Sequence, residues 1–140
     1  MPIYPKKESY VHHAGQFFTA EWYYAEDGKL PALDYYRELE VHDRARLNHI
    51  IRHLCDSPHG TILPMTLYRV EDRENKIYAL KPRDERFFNF TTDGAKVILT
   101  NAYHKHSQQM TKADLESLKI AVKYRQDYLK RARGRTYYED

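Results

Sequence analysis

Apolar residues along the chain fall into runs of two different periods. Ile77-Tyr78-Ala79-Leu80, Phe87-Phe88-Asn89-Phe90 and Val97-Ile98-Leu99 are short, aromatic or β-branched, and separated by polar turn residues. Such spacing predicts three antiparallel strands in a meander, with turns at Asp84-Glu85 and at the hairpin signal Asp93-Gly94. An earlier aromatic run over 17–24 predicts another strand. Helical spacing replaces it after the turn at 26–28. Pro31 suits the first turn of a helix over 31–39. Leu47, Ile50, Ile51 and Leu54 line one face of a second helix over 42–55, with Arg46, His49, Arg52 and His53 opposite. The two form a helical hairpin, stopped by the turn residues of 56–60.

Residues 61–75 leave two readings open, since Leu67-Tyr68-Arg69-Val70 could pair as a strand or lie as a loop. Residues 107–110 are a connector. Thr111 and Asp114 have the spacing of a capping box, and a terminal helix runs from there to about residue 131. Its apolar face would carry Leu115, Leu118, Val122 and Leu129. There is no internal repeat. The order strand, helix, helix, three strands, helix predicts an α+β domain over 17–131 with its helices on one face of the sheet. Residues 1–16 read as an irregular arm and 132–140 as a frayed tail.

Composition narrows the class. The 140 residues are 41% hydrophobic, enough for one modest core. A mean hydropathy of −0.85 marks a heavily charged surface. No run approaches the ~18 apolar residues of a membrane span, and residues 1–15 lack the apolar centre of a secretory signal. The expectation is a cytoplasmic protein without a membrane partner. Cys55, the single cysteine, reads as a buried helix residue. Between Lys119 and Arg135 stand seven bases and one acid, a local excess of six against +3 for the whole chain. A basic end suits phosphate or an acidic protein, and equally a solvated helix.

Candidate chemistry gathers at the strand ends. Lys81 closes the first meander strand, Arg83 lies in the turn, Arg86 opens the second strand, and His104-Lys105-His106 closes the third. Antiparallel neighbours bring these positions to one edge of the sheet. Convergent cations suit a phosphodiester, because arginine holds phosphate oxygens bidentately and histidine exchanges protons near neutral pH. A base, an acid and positive charge on the developing oxyanion suffice for attack of an RNA 2′-hydroxyl on the adjacent phosphate. Ordinary surface charges at turns would show the same spacing. His49 and His53 stand at i, i+4 without the glutamate or third ligand of a zinc motif, so they read as an exposed face. Nothing in the sequence positions His12-His13 as metal ligands. Tyr103 and Tyr128 adjoin the basic segments and are candidates for base stacking, although a packing role is also open. Arg125 lies near the apolar side of the terminal helix and would need a partner if buried.

The runs 77–81, 86–88 and 97–108, followed by a helix carrying Ala121, Arg125, Asp127 and Tyr128, resemble the RelE/ParE/HigB toxin superfamily. The phage-derived, HigB-like branch is the most similar. The resemblance covers about residues 17–131. It implies a RelE-like fold, in which a helical hairpin and a C-terminal helix pack on an antiparallel meander. It also implies a toxin of a type II toxin–antitoxin system, an endoribonuclease that needs no metal or other cofactor and cleaves mRNA on the ribosome. Its partner would be a small helix-turn-helix antitoxin. Carried over, Arg86 matches the arginine opening the middle strand, and Lys105 and His106 match the basic pair ending the third. Arg86, His104, Lys105 and His106 become the expected catalytic set. Lys81, Arg83, Tyr103, Lys123, Tyr128 and Arg131 become the expected RNA contacts. The chain departs from RelE-type members in lacking lysines along Ile77-Tyr78-Ala79, so the base falls to His104 or His106. ParE-like relatives share the fold without nuclease residues and are associated with gyrase, which leaves a non-catalytic gyrase-directed toxin or a phage host-interaction protein as the alternative.

Overall fold

A computed structural model of the protein describes residues 4–139. Six strands form one mixed sheet in the order β1-β2-β6-β5-β4-β3. They are β1 (Val11–Ala14), β2 (Thr19–Trp22), β3 (Tyr68–Asp72), β4 (Ile77–Leu80), β5 (Glu85–Thr91) and β6 (Lys96–His104). The expected meander is β4-β5-β6, antiparallel throughout. Beyond it, β2 runs parallel to β6, so the sheet is mixed. The segment with two open readings pairs as β3 and becomes an edge strand.

Four helices accompany the sheet: α1 (Lys7–Tyr10), α2 (Pro31–Arg37), α3 (Val41–Cys55) and α4 (Lys112–Arg133). They do not share one face, which corrects the expected layering. Leu47, Ile50, Ile51 and Leu54 of α3 pack with Ala20, Trp22, Leu80, Phe87, Val97 and Leu99. Ala121 and Tyr128 of α4 pack with Ile77, Ala79, Phe88, Phe90 and Ile98. Alternate residues of each central strand thus point to different helices, and both sheet faces are dry. This explains why 87–90 is continuously apolar apart from Asn89, which is itself buried. The Thr111 capping box forms as expected, with Thr111 Oγ1 accepting from the Asp114 N–H and the Thr111 N–H donating to Asp114 Oδ2. Leu115 departs from expectation. It is 46% exposed, while Tyr128 takes the buried position further along.

The described parts of both terminal segments pack into the fold, contrary to the expected arm and tail; positions 1–3 and 140 of those segments lie outside the described residues. Residues 7–14 form α1 and β1, and β1 covers the outer edge of β2. The following loop is clasped to α3, where the Phe17 and Phe18 N–H groups donate to the Cys55 carbonyl. Only glycine fits at position 15, because a Cβ there would lie 2.6 Å from the Cys55 Cβ and 2.7 Å from its carbonyl oxygen. Cys55 is buried as expected, and burial pushes its thiol up to about 12. At the other end, Tyr137 is buried against Tyr24 and Tyr128. Hydrophobic burial of these rings holds a segment whose polar composition alone predicts fraying.

The β5–β6 turn holds a strained residue. Ala95, not Gly94, takes the left-handed conformation, with φ +59°. Glycine carries no Cβ penalty there. Ala95→Gly is therefore expected to raise stability by about 0.5–1 kcal/mol, read as a higher urea midpoint at unchanged slope. An unchanged or lower midpoint would contradict the assignment of strain.

One irregularity decides the layout of the strand ends. Phe87 pairs with Ala102 but Asn89 pairs with Leu99, so β6 carries one extra residue opposite β5. Thr100 and Asn101 share the place across from Phe88. Thr100 Oγ1 donates to the Phe88 carbonyl, and Asn101 Nδ2 donates to the Ser117 carbonyl of α4. A bulge of this kind shifts the alternation of every later residue by one.

Candidate functional site at the strand ends

The β4–β5 turn and the end of β6 build the candidate site. The Glu85 N–H donates to the Pro82 carbonyl and closes a tight turn. Within it Arg83 has φ +59°, a conformation that favours glycine. Strain of this kind is found at sites where a side chain must be presented in a fixed place. The Lys105 N–H donates to the Asp84 carbonyl and ties the residues after β6 to the same turn.

Glu85 and His104 are directly paired across the strands, and so are Arg86 and Tyr103. Neighbouring rungs face opposite sides of the sheet, and the bulge decides that His104 shares the Glu85 side and Tyr103 the Arg86 side. On the α2–α3 side, His104 Nδ1 lies 2.6 Å from Glu85 Oε1, and the Tyr35 hydroxyl of α2 donates to Glu85 Oε2. Glu85 is only 7% exposed, so its charge depends on these two partners. The hydrogen bond that His104 donates to Glu85 pushes the His104 imidazole up from its ordinary range. Slight burial opposes the shift, and the Glu85, Asp84 and Asp43 charges add to it. With Nδ1 held by a carboxylate, the neutral ring carries its lone pair on Nε2. The exposed His106 ring meets His104 edge-on, centroids 4.7 Å apart. Arg83 reaches Asp43 of α3 at 3.8 Å.

On the α4 side stand Lys81, Arg86, Tyr103 and Lys105. Arg86 Nη1 donates to the Arg83 and Glu85 carbonyls at 2.7 and 2.9 Å, so its guanidinium is anchored by backbone. Its ionic charge has no carboxylate partner among the described residues. Lys81 donates to the Met65 carbonyl. Burial lowers the Lys81 ammonium from its usual range, and the nearby Arg86, Arg69 and Lys105 charges lower it further. Lys105 is neutralised by Asp114 at 2.9 Å. Burial raises the Asp114 carboxyl, but the Thr111 backbone N–H and Lys105 outweigh it and hold the group low. Tyr103 lies over Phe88 with centroids 5.4 Å apart. Burial pushes its hydroxyl up to about 12, with Asp114 and Glu71 adding and Arg86 opposing.

The expected single cluster is thus two clusters on either side of the sheet rim. His104, His106 and Arg83 stand together, and Lys81, Arg86, Tyr103 and Lys105 stand together. The residues expected further along α4 are placed elsewhere. Tyr128 is buried against Phe90, and its hydroxyl meets the Tyr138 hydroxyl at 2.7 Å. Arg131 is buried too. Its Nη1 donates to the Tyr24 carbonyl and to Asp127 Oδ2, and its guanidinium lies over the Tyr24 and Tyr137 rings. Neither offers a face to RNA, because both are spent on holding the C-terminal segment. Lys123 is exposed on α4, with no ion pair among the described residues.

Glu85 and Tyr35 are the residues that the sequence did not bring forward. A buried carboxylate beside a tight turn looks like any acidic turn residue in sequence, and Tyr35 is far away along the chain. Elsewhere, His12 is tied to Asn48 at 2.6 Å and packs on Trp22 and Tyr36. His49 and His53 lie on the exposed face of α3. Among the described residues no group of three or more His, Cys, Asp or Glu side chains is arranged to hold a metal ion, and no helix is long and apolar enough to cross a membrane. Compared with protein-family models and with curated proteins, the chain finds no match.

Proposed function

We propose that the protein is an endoribonuclease of the toxin type, cleaving mRNA on the ribosome without a metal and held in check by a small helix-turn-helix antitoxin. The observation that carries this reading is the carboxylate-oriented imidazole, His104 on Glu85, with the unneutralised guanidinium of Arg86 across the same sheet rim. The similarity of the strand-end residues to the RelE/ParE/HigB superfamily supplies the substrate class.

In the proposed reaction, neutral His104 Nε2 takes the proton from a ribose 2′-hydroxyl. The oxygen attacks the adjacent phosphorus, and the bond to the 5′-oxygen of the next nucleotide breaks. That oxygen takes a proton from an acid at the rim, for which protonated His106 is the nearest candidate. The products are a 2′,3′-cyclic phosphate and a 5′-hydroxyl. Arg86, fixed by two carbonyls, offers its remaining N–H groups to the phosphorane oxygens, and Lys81 adds charge. Lys105 contributes less, since Asp114 already neutralises it.

The test is cleavage of a defined mRNA on purified ribosomes, with ends mapped by primer extension. The wild type is expected to cut, and Arg86→Ala/His104→Ala to lose at least about 10³-fold in rate. Equal cutting by both, or none by either, removes the proposal. The neutralisation of Lys105 by Asp114 favours the second reading, a non-catalytic toxin of the same fold, and growth arrest with intact message is its signature.

A further inference from the structure

A groove of about 1240 Å³ lies away from the His104 cluster. Its walls come from the loop over 57–65, the edge strand β3, the β5–β6 turn and α4. Arg69, Arg73, Lys76 and Arg125 line it, with Asp93 the acid among its lining residues. None of the four cations makes an ion pair among the described residues. Arg125 is the most telling. Its guanidinium sits 5.6 Å above the Phe90 ring, and its Nε is out of water with no hydrogen-bond partner. A charge held in that state is stabilised by an anion from outside the chain. Asp72 of β3 accepts from the backbone N–H and side-chain amide of Asn75 in the β3–β4 turn.

We propose that this groove holds the phosphates of a single-stranded polynucleotide that flanks the bond cut at the strand ends. The proposal rests on the nuclease reading for the identity of the strand, while the groove's affinity for it stands alone. Continuity favours a long polyanion. Arg69 lies at the start of β3, within electrostatic reach of Lys81, on which Arg86, Lys105 and the acid Glu71 also act. Arg73 follows the other end of the same strand, and Lys76 stands just before β4. The cations therefore follow the sheet edge away from the cleavage site, as a backbone-tracking channel does. Half-buried Tyr78 lines the groove, its ring stacked on that of Tyr68 at 5.1 Å and 5°. Exposed Ile62 and Met65 add apolar surface for unstacked bases. Charge spaced along one strand edge and paired with flat rings fits a nucleic acid better than an acidic peptide.

The experiment measures binding of a 2′-O-methyl oligouridine of about twelve nucleotides, which has no free 2′-hydroxyl and is not cut. The wild type and Arg69→Gln/Arg73→Gln/Lys76→Gln/Arg125→Gln are compared over a salt series. The variant is expected to bind at least about tenfold more weakly, with a salt slope shallower by about 2–3, because each lost contact removes ~0.7 of slope. Arg69→Gln/Lys76→Gln, altered only at exposed positions, is expected to show about half that change in slope and guards against misfolding of the fourfold variant. Unchanged affinity and slope in both variants would overturn the proposal. So would tighter binding of an oligoglutamate of equal length, which would assign the groove to an acidic protein partner. Loss of oligouridine binding in the variants, together with no mRNA cleavage by the wild type, would sink the nuclease reading and leave the groove standing.

Discussion

Tyr137→Ala is expected to destabilise the protein by about 3–5 kcal/mol, the range for removing a buried aromatic ring. The ring is 1% exposed. It stacks on Tyr24 at 4.3 Å and meets Tyr128 and Tyr138 edge-on at 4.6 and 4.8 Å. Its hydroxyl accepts from the Tyr24 N–H, and its carbonyl accepts from the Tyr24 hydroxyl. Truncation would therefore leave a buried backbone N–H without a partner as well as a cavity. It would also strip one of two rings from the Arg131 guanidinium, whose pairing with Asp127 depends on that shielded setting. Tyr137→Phe keeps the ring and loses only the hydroxyl contact, with an expected cost of about 1 kcal/mol. Urea unfolding of both variants measures the difference. A loss under 1 kcal/mol for the alanine variant would mean that the terminal segment is not part of the cooperative core.

Under the proposed nuclease mechanism, Glu85→Gln is expected to lower cleavage by about 10–100-fold, the usual effect of removing the partner that orients a catalytic imidazole. In that mechanism Glu85 is a positioning residue, and its signature lies in the pH profile. In the wild type the Glu85 hydrogen bond raises the His104 pKa above its ordinary 6.5, and Asp84 and Asp43 act in the same direction. A general base must be unprotonated, so the rate rises with pH as His104 loses its proton, with a midpoint above 6.5. Glutamine is nearly isosteric but uncharged. The midpoint then falls toward the ordinary value while the plateau drops. His106 faces the same ring and is not altered in this comparison. The pairing also stabilises the fold when His104 is charged. That contribution is full below the unfolded pKa of His104 and is lost as pH rises through the raised folded value. A lowered rate with an unmoved midpoint would exclude Glu85 as the group that tunes His104.

Much of the architecture was legible from periodicity. Leu47, Ile50, Ile51 and Leu54 at helical spacing could bury only one stripe, and α3 buries those four. The meander followed from three short apolar runs separated by turn residues. Thr111 and Asp114 announced the start of α4 by local hydrogen bonds that need no tertiary partner. The ends of the chain were misread for the complementary reason. Tyr137 sits among charged residues, and its burial comes from Tyr24, more than a hundred positions earlier.

Local chemistry, then, determined the elements and brought Lys81, Arg86 and His104 to one end of one sheet. Which face each side chain occupies was decided by a single surplus residue between Leu99 and Ala102. Plain alternation would place position 104 on the same face as Arg86. The bulge instead turns His104 toward Glu85 and Tyr35, and leaves Arg86 with Tyr103 on the side of α4. No pattern of apolar and polar letters marks that insertion, since its cause is the pairing of two strands and the contact of Asn101 with α4. The orientation of the imidazole is therefore a property of the assembled sheet.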